Sequence, residues 1–313
     1  MIYYPVLIPT LNRYEHLKRC VESLAKNTHA DKTELVIGLD YPPSDKYREG
    51  YEKVKTYVYT ITGFAKVTIF EREKNYGPVK NYTALKEYVF QNFDAAISSE
   101  DDNEFSPCFL DFMDKILEKY KDDDMFTSVS GYLHPDYIGV SSKKVILTKE
   151  TNAWGMGHWK TKEMNIFSTN HFKEVLTSIS KSWKCFKAFP ASFSMLIEMV
   201  KKEADWGDVR RTNTNILNGT YQIRPNISLC KNWGYDGSGL HCGIDKSNKF
   251  NNQTKSEDFV YDIGTEKPQI DSRIFKVTSN LLLPQNPLKR VKFFVRVGLN
   301  YLQFRYMIIR YKK

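Results

Sequence analysis

The stretch DAAISSEDD, residues 94–102, joins a short apolar run to three consecutive carboxylates. Residues 94–98 are apolar enough to predict a buried strand, and Glu100, Asp101 and Asp102 follow it directly. Like charges this close resist ionising together unless a cation lies among them. Because Mg²⁺ and Mn²⁺ prefer oxygen ligands, the stretch predicts a divalent-metal site. The alternative is a solvated acidic turn that caps the next helix.

Three similar units precede this stretch, and each combines a short apolar run with a helical pattern. The clearest helical pattern spans residues 17–24, where apolar side chains recur every three or four positions. Four strand–helix units in sequence favour an α/β fold with a mainly parallel sheet and helices on both faces. The earlier predicted strands are residues 3–9, 34–40 and 66–70, and the predicted helices begin near Asn12, Asp45 and Pro78.

Two helix starts carry capping signals. Asn12, with Glu15 three positions later, matches a capping box, so Asn12 is predicted to cap the first helix. Ser106 is predicted to cap a helix after the acidic stretch, with Pro107 at the first helical position. Ligands of parallel sheets bind beyond the carboxyl ends of the strands, so Asn12 and the three carboxylates are expected at the ligand-binding edge.

Positive charge is concentrated in the last part of the chain. The formal net charge is +9, yet the chain from Pro284 onward holds eight basic and no acidic residues, and the remainder is nearly neutral. A nucleic-acid-binding protein would carry basic residues over its folded face, so no nucleic-acid partner is expected. Residues 272–313 are predicted to form a basic amphipathic extension that binds an anionic membrane surface. The alternative is a helix docked on the main domain.

The five cysteines are widely spaced and form no CxxC pair, so no zinc knuckle is predicted and free thiols are expected. No basic segment followed by an apolar one opens the sequence, and no run reaches about 18 uncharged apolar residues. These features predict neither a signal peptide nor a transmembrane helix. They favour a cytoplasmic protein that is at most peripheral on the inner face of the cell membrane.

Several segments resemble the GT-A glycosyltransferases of family 2. Residues 5–13 (PVLIPTLNR) look like the start of such a domain, and residues 75–81 (NYGPVKN) resemble its Asn-x-Gly segment. The Glu-Asp-Asp triplet resembles the variant of the Asp-x-Asp motif in the N-acetylglucosaminyltransferase I family. Residues 204–206 (ADW) and 223–228 (IRPNIS) are similar to later segments of that family, so the resemblance covers about residues 1–243.

The resemblance implies roles for the matching positions. Asp102 would ligate Mn²⁺ or Mg²⁺, and His241, behind a glycine-containing loop, would be a further ligand of the metal or the diphosphate. Asp101 would contact the ribose or sugar of a UDP-sugar donor, with Glu100 in support. For several of these residues the alternative is local: a helix cap, a turn, a solvated charge or core packing. The predicted donor-binding residues are Thr10, Asn12, Arg13, Asp40, Lys80, Glu100, Asp101 and Trp154.

The resemblance also implies a general base that deprotonates the acceptor hydroxyl opposite the leaving group. Asp205 is the predicted base, because it lies at a break in the helical pattern beside Trp206. The related enzymes place this acid two positions before the tryptophan, where this chain has Ala204. The register therefore leaves Glu203 and Asp208 as alternatives.

The implied protein is an inverting, metal-dependent glycosyltransferase, with residues 1–105 binding the donor and residues 106–245 the acceptor. Residues 246–271 would form a linker to the basic extension. The enzyme would move a hexose or N-acetylhexosamine from a UDP-sugar to a glycan or lipid-linked acceptor in surface polysaccharide or lipopolysaccharide assembly. One alternative is a sugar nucleotidyltransferase, disfavoured because residues 9–13 contain no glycine. The other is a non-enzymatic membrane-surface protein that acts through the basic tail.

Overall fold

The structure, a computed structural model, describes residues 2–168, 171–239, 243–264 and 267–311, with side chains up to residue 308. These residues form ten strands and eleven α-helices. The strands are β1 (Val6–Thr10), β2 (Glu34–Leu39), β3 (Lys66–Glu71), β4 (Ala95–Ser98), β5 (Asn103–Phe105), β6 (Phe126–Ser130), β7 (Val145–Thr148), β8 (Met156–Trp159), β9 (Tyr221–Pro225) and β10 (Cys230–Asn232). The helices are α1 (Tyr14–Ala25), α2 (Arg48–Val58), α3 (Gly77–Val89), α4 (Phe109–Lys119), α5 (Lys160–Ser168), α6 (Phe172–Thr177), α7 (Ile179–Ala188), α8 (Pro190–Lys201), α9 (Gly207–Asn218), α10 (Ser272–Asn280) and α11 (Pro287–Tyr311).

Eight strands form one central sheet in the order β3-β2-β1-β4-β8-β6-β9-β7. Strands β1 to β4 are mutually parallel, and β6 and β9 run in the same direction. Only β8 and β7 are antiparallel to their neighbours in this sheet. Strands β5 and β10 form a separate antiparallel pair. The central sheet is therefore mainly parallel, as predicted.

Alternate residues of the strands face two different cores. In β1, Val6 and Ile8 pack in a cluster with Leu17 of α1 and Val54 of α2. Leu7 points to the opposite face and packs in the cluster that contains residues of α3. Strands covered on both faces carry continuous apolar runs rather than alternating ones. The prediction of an α/β fold with helices on both faces is confirmed.

The predicted cap at Asn12 is wrong. Helix α1 begins at Tyr14, and Arg13 occupies the cap position without a side-chain hydrogen bond. Asn12 lies one residue too early, because a capping side chain belongs directly before the first helical residue. The prediction for α3 is confirmed, since this helix begins at Gly77 with Pro78 in its first turn.

The predicted cap at Ser106 is also wrong. Helix α4 begins at Phe109, so Pro107 does not occupy its first position, and Cys108 precedes the helix without a capping side chain. Ser106 instead supports the turn through its backbone carbonyl, which accepts the N–H of Phe109 at 3.0 Å. A backbone turn between β5 and α4 replaces the side-chain cap.

The described residues between β10 and α10 form no named helix or strand, but they pack against the domain. The rings of Phe259 and Tyr261 lie edge-on to Phe112, with centroids 5.7 and 6.0 Å away. At the start of the segment, the carboxylate of Asp245 accepts the backbone N–H of Phe250 at 2.7 Å. The chain therefore returns to the N-terminal core before α10, whereas the linker boundaries stay a prediction.

The described C-terminal residues form α10 and α11, which confirms a helical extension. Helix α11 packs on α6 and α8, where its Val297 and Phe304 are buried. Over the ranges given above, no helix combines the length and the apolar character needed to cross a bilayer.

Gly157 provides a test of the sheet packing. A Cβ at this position of β8 would lie 2.7 Å from Cγ1 of Val129 and 2.9 Å from Cε of Met113. We expect Gly157→Ala to lower the free energy of unfolding by about 1–3 kcal/mol, measured by urea denaturation. In the matched control Gly298→Ala, on α11, the added methyl meets open space. That control should raise stability by about 0.5–1 kcal/mol. A Gly157→Ala protein as stable as the wild type would contradict the packing described here.

Candidate active site

The ends of β1 and β4 bring together Thr10, Arg13, Asp101 and Asp102. The hydroxyl of Thr10 donates to Oδ2 of Asp101 at 3.0 Å. The guanidinium of Arg13 forms ion pairs with Asp101 and with Asp102, the latter at 2.8 Å between Nη1 and Oδ2. Both carboxylates are buried, and the cation between them offsets part of their mutual repulsion. Four of the predicted site residues therefore meet at the carboxyl edge of the sheet.

The strap, residues 232–239 at the end of β10, runs across these carboxylates. Asn232 donates its side-chain amide to Oδ1 of Asp102 at 2.7 Å, and the N–H of Trp233 donates to the Asp102 carbonyl at 2.8 Å. A Cβ on Gly234 would lie 2.3 Å from Oδ2 of Asp102, so the strap approaches as closely as glycine permits. Asn232 and Gly234 are absent from the predicted set. Their one sequence signal is the glycine-rich composition of the strap.

Trp233 fixes the strap to the rest of the domain. Its indole N–H donates to Oε2 of Glu104 at 2.7 Å. The guanidinium of Arg19 lies 4.5 Å from the ring centroid and the ammonium of Lys231 lies 3.9 Å from it, which are cation–π distances. These contacts hold the strap, and with it the hydrogen bond from Asn232 to Asp102.

Glu100 lies at the solvent-exposed side of the cluster, where the indole N–H of Trp154 donates to its Oε2 at 3.2 Å. Desolvation by the surrounding protein raises the pKa of Glu100 to about 8, and the negative charges of Asp102, Asp208 and Asp101 act in the same direction. Burial also raises the pKa of Asp101, although the charge of Arg13 opposes this shift. The three carboxyl groups therefore ionise together less readily than isolated ones, because a single arginine lies among them.

The donor chemistry of this cluster fits a divalent cation. Along the described ranges, no group of three or more His, Cys, Asp or Glu side chains is arranged to hold a metal ion by itself. Mg²⁺ and similar ions commonly take one or two carboxylates and complete their shell with water and substrate phosphates. An ion of this kind would favour ionisation of the carboxyl groups of Glu100, Asp101 and Asp102, which burial and mutual repulsion oppose. His241, the other predicted ligand, lies outside the described residues.

Asp208 lies in the first turn of α9. Its negative charge contributes to the raised pKa of Glu100, so the two carboxylates lie within electrostatic reach of each other. Desolvation raises the pKa of Asp208 itself, against the opposing charges of Arg211 and Arg224. Asp205 and Asp208 are both exposed, and Asp205 forms an ion pair of 2.7 Å with Arg210.

Glu203, the third candidate base, is exposed just beyond the end of α8 and has a positive φ of 51°. A positive φ is uncommon for a residue with a side chain, and here it marks the turn that ends the helix. Of the three candidates, Asp208 is the one with a described electrostatic link to the acidic cluster.

A buried ion-pair cluster holds the start of α9 in place. Glu163 of α5 pairs with Arg211 of α9 at 2.5 Å and with Lys86 of α3 at 2.8 Å. Burial alone would raise the pKa of Glu163, but the charges of Arg211, His158 and Lys86 outweigh burial and hold the pKa well below its usual value. This cluster joins three helices one turn away from Asp208.

Asp40 has a local partner for each lone pair of its carboxylate. Oδ1 accepts the N–H groups of Tyr41 at 2.9 Å and Tyr76 at 2.7 Å. Oδ2 accepts the N–H of Gly77 at 2.8 Å and the side-chain amide of Asn75 at 3.3 Å. An ionised carboxylate has about four acceptor positions, so Asp40 is fully used in holding the turn before α3. Its contact with a nucleotide stays a prediction.

Lys80 is exposed on α3, and its ammonium lies 4.6 Å from the ring centroid of Tyr76. The guanidinium of Arg72, directly after β3, lies 5.0 Å from the same centroid. Nη2 of Arg72 is buried and has no hydrogen-bond partner among the described residues. Arg72 is absent from the predicted set, although its position after a parallel strand signals the ligand edge. Asn12 lies in the turn between β1 and α1 at this edge.

Residues 6–173, more than half of the chain, match the model of a family described as "Glycosyl transferase family 2". No curated protein sequence matches the chain significantly. The matched region ends before α9, so Asp205 and Asp208 lie outside it.

Solved structures that resemble the chain are distant. TarS of S. aureus is 16% identical over 38% of this chain, with a TM-score of 0.30, and the match spans only 20% of that chain. The mannosyltransferase PcManGT of Pyrobaculum calidifontis, solved with GDP-Man and Mn²⁺, is 12% identical over 68% of this chain and 69% of its own, with a TM-score of 0.40. Mouse xyloside xylosyltransferase 1 is 9% identical over 71% of this chain and 84% of its own, with a TM-score of 0.39. At these scores the structures identify neither donor nor acceptor for this chain.

The ion-pair cluster of Glu163 is open to a stability test. Glu163→Gln leaves the cations of Arg211 and Lys86 buried without their carboxylate, so we expect the free energy of unfolding to fall by about 3–5 kcal/mol near neutral pH. Urea denaturation measures the loss. The exposed neighbour Glu87 offers the matched control, and Glu87→Gln should change stability by no more than about 0.5 kcal/mol.

The lowered pKa of Glu163 predicts how the stability difference between wild type and Glu163→Gln changes with pH. The pKa of Glu163 is lower in the folded than in the unfolded protein, so its contribution is present above the unfolded value of about 4.3. The contribution is lost as pH falls through the folded value. The stability difference between wild type and Glu163→Gln should therefore shrink in acid. A difference that stays constant or grows below neutral pH would contradict this assignment.

Proposed function

Because the chain belongs to glycosyl transferase family 2, we propose that it is an inverting glycosyltransferase that uses a UDP-sugar donor. The observation that carries the proposal is the pair of buried carboxylates, Asp101 and Asp102, that Arg13 holds at the carboxyl edge of the sheet. An inverting transferase needs a donor site on one side of the reacting carbon and a general base on the other. Asp101 and Asp102 are the candidates for the donor side, and Asp208 is the candidate for the base.

The donor side is assigned to the ends of β1 and β4. Asp101, buried and oriented by Thr10 and Arg13, would accept hydrogen bonds from hydroxyls of the ribose or the sugar. Asp102, oriented by Asn232, would hold Mn²⁺ or Mg²⁺ together with His241. When bound, such an ion would neutralise charge that develops on the diphosphate leaving group. The donor-side proposal is completed by Thr10, Asn12, Arg13, Asp40, Lys80, Glu100 and Trp154.

The base is assigned to Asp208 in preference to Asp205. The Asp205 carboxylate is already engaged in an ion pair with Arg210. The raised pKa of Asp208 makes its carboxylate a better proton acceptor for an acceptor hydroxyl. Asp208 would take that proton as the hydroxyl oxygen attacks the sugar, and the diphosphate would leave on the opposite face.

A carbohydrate acceptor is supported by the aromatic side chains beside Glu100. Trp154 lies edge-on to Tyr132 at 4.6 Å and to Tyr235 at 5.9 Å between ring centroids. Aromatic side chains and a few polar groups are the usual lining of small-molecule sites. We propose that the acceptor, a glycan or a lipid-linked sugar, binds beside these aromatic side chains. The transfer would serve surface polysaccharide or lipopolysaccharide assembly. The family match favours sugar transfer over nucleotidyl transfer.

The choice of base predicts different effects for two aspartates. Asp208→Asn removes the proton acceptor and should lower kcat by about 100- to 10,000-fold, whereas the matched Asp205→Asn should lower it less than about tenfold. Transfer from UDP-sugars, with donor hydrolysis as a second readout, measures the effect. Because the pKa of Asp208 is raised, wild-type kcat should fall as pH decreases through that pKa. The residual activity of Asp208→Asn should lack this decline, and a larger loss in Asp205→Asn would reverse the assignment.

The metal proposal predicts that turnover needs Mn²⁺ or Mg²⁺ and stops in EDTA. Asp102→Asn should weaken the combined thermal stabilisation by UDP and Mn²⁺, because a ligand stabilises the state that binds it. Asp122→Asn, in an exposed acidic run after α4, is the control that should keep both properties. Full activity in EDTA would remove the metal from the proposal.

A further inference from the structure

Helix α11 has two separate apolar faces. One face is docked on the domain, where Val297 and Phe304 are buried and Phe293, Phe294 and Tyr301 pack around them. The other face is the outer stripe, whose side chains are between 55% and 75% exposed. The outer stripe consists of Leu288, Val291, Val295, Leu299 and Leu302.

The outer stripe is continuous along the helix. Side chains advance by about 100° per residue, so these five fall within a sector of about 80° on the side away from Val297. A docked helix in a water-soluble domain normally exposes polar residues on its outer face. A contiguous apolar face of this length marks an interaction surface rather than scattered exposed residues.

The charge beside the outer stripe indicates its partner. Lys289, Lys292 and Arg296 are exposed along one flank, and the sequence from Pro284 to its last residue contains no acid. Two copies of this face would bring like charges together without a compensating carboxylate, which disfavours self-association. An anionic surface complements these cations.

An exposed tryptophan on a neighbouring helix lies near α11. Trp183 of α7 is 61% exposed, and its ring is 5.6 Å from that of Phe186. Phe186 in turn lies 5.9 Å from Phe294 of α11, so this tryptophan extends the apolar region from a neighbouring element. Tryptophan favours the boundary between water and hydrocarbon, because its ring is apolar and its N–H is polar.

We propose that the outer stripe of α11 docks the protein on an anionic lipid surface. The leucines and valines enter the boundary between headgroups and acyl chains, and Lys289, Lys292 and Arg296 meet the headgroup phosphates. The helix lies in the plane of the membrane, because its opposite face stays packed on α6 and α8. The docking does not depend on the proposed transfer reaction, although it would suit a lipid-linked acceptor.

Vesicle flotation of the full chain tests this surface. Wild-type protein should bind vesicles that contain both phosphatidylcholine and phosphatidylglycerol. It should bind vesicles of phosphatidylcholine alone only weakly. Val291→Gln/Leu299→Gln should weaken binding by about tenfold or more, because the apolar face is interrupted. Lys292→Gln/Arg296→Gln should weaken binding to the anionic vesicles by about fivefold for each cation removed. Added salt should weaken wild-type binding in the same direction.

The matched control is Val79→Gln/Met164→Gln, which places the same polar side chains at comparably exposed positions of α3 and α5. This control should bind vesicles like the wild type. Binding should also shift tryptophan fluorescence to shorter wavelength, and Trp183→Phe should remove most of that shift. The free energy of unfolding of each variant, measured by urea denaturation, should equal that of the wild type, since the changed side chains are exposed.

Several outcomes would overturn the docking proposal. They are no vesicle binding by the wild type, equal binding to neutral and anionic vesicles, or full binding by Val291→Gln/Leu299→Gln. A wild-type dimer that dissociates in the same variant would assign the outer stripe to a second copy of the chain. Donor hydrolysis on soluble substrate separates the two proposals: its absence counts against the transfer reaction and leaves the vesicle result valid.

Discussion

The ion pairs of Arg13 with Asp101 and Asp102 are the interaction on which the candidate site depends. Two adjacent carboxylates at the end of a buried strand would repel each other and resist burial without a cation. Arg13 reaches them from the turn after β1, so this ion pair joins the ends of two neighbouring parallel strands. Because Asn232 also donates to Asp102, the same cluster anchors the strap that follows β10.

A second buried ion-pair cluster holds the start of α9, the helix that carries Asp208. Glu163 links α5 to α9 through Arg211 and to α3 through Lys86. A buried carboxylate shared by two cations sets the position of the helices that carry them, since separating any partner leaves an uncompensated charge. Asp208 lies one turn before Arg211, so its distance from the acidic cluster is set by residues that take no direct part in the proposed chemistry.

Local sequence patterns predicted the sheet and its ligand edge well, but not the contacts made across that edge. The apolar runs of β1 to β4 and the acidic stretch after β4 are local signals, and the structure confirms the α/β arrangement they imply. The cap predicted at Asn12 is wrong because α1 begins one residue later than the capping pattern requires. The partners of Asp40 come from the turn before α3, more than thirty positions away along the chain. No local pattern predicts such partners.

The sequence by itself determined the fold class, the acidic cluster at the end of the fourth strand and the basic, apolar character of the last helix. These properties follow from periodicity and composition, which act over a few neighbouring residues. Only the tertiary structure decided that Arg13 pairs with both Asp101 and Asp102, and that Asn232 and Gly234 close over Asp102. It also divided α11 into a docked face and an outer stripe. The physical reason is that ion pairs, close backbone approach and burial join residues that only folding brings together.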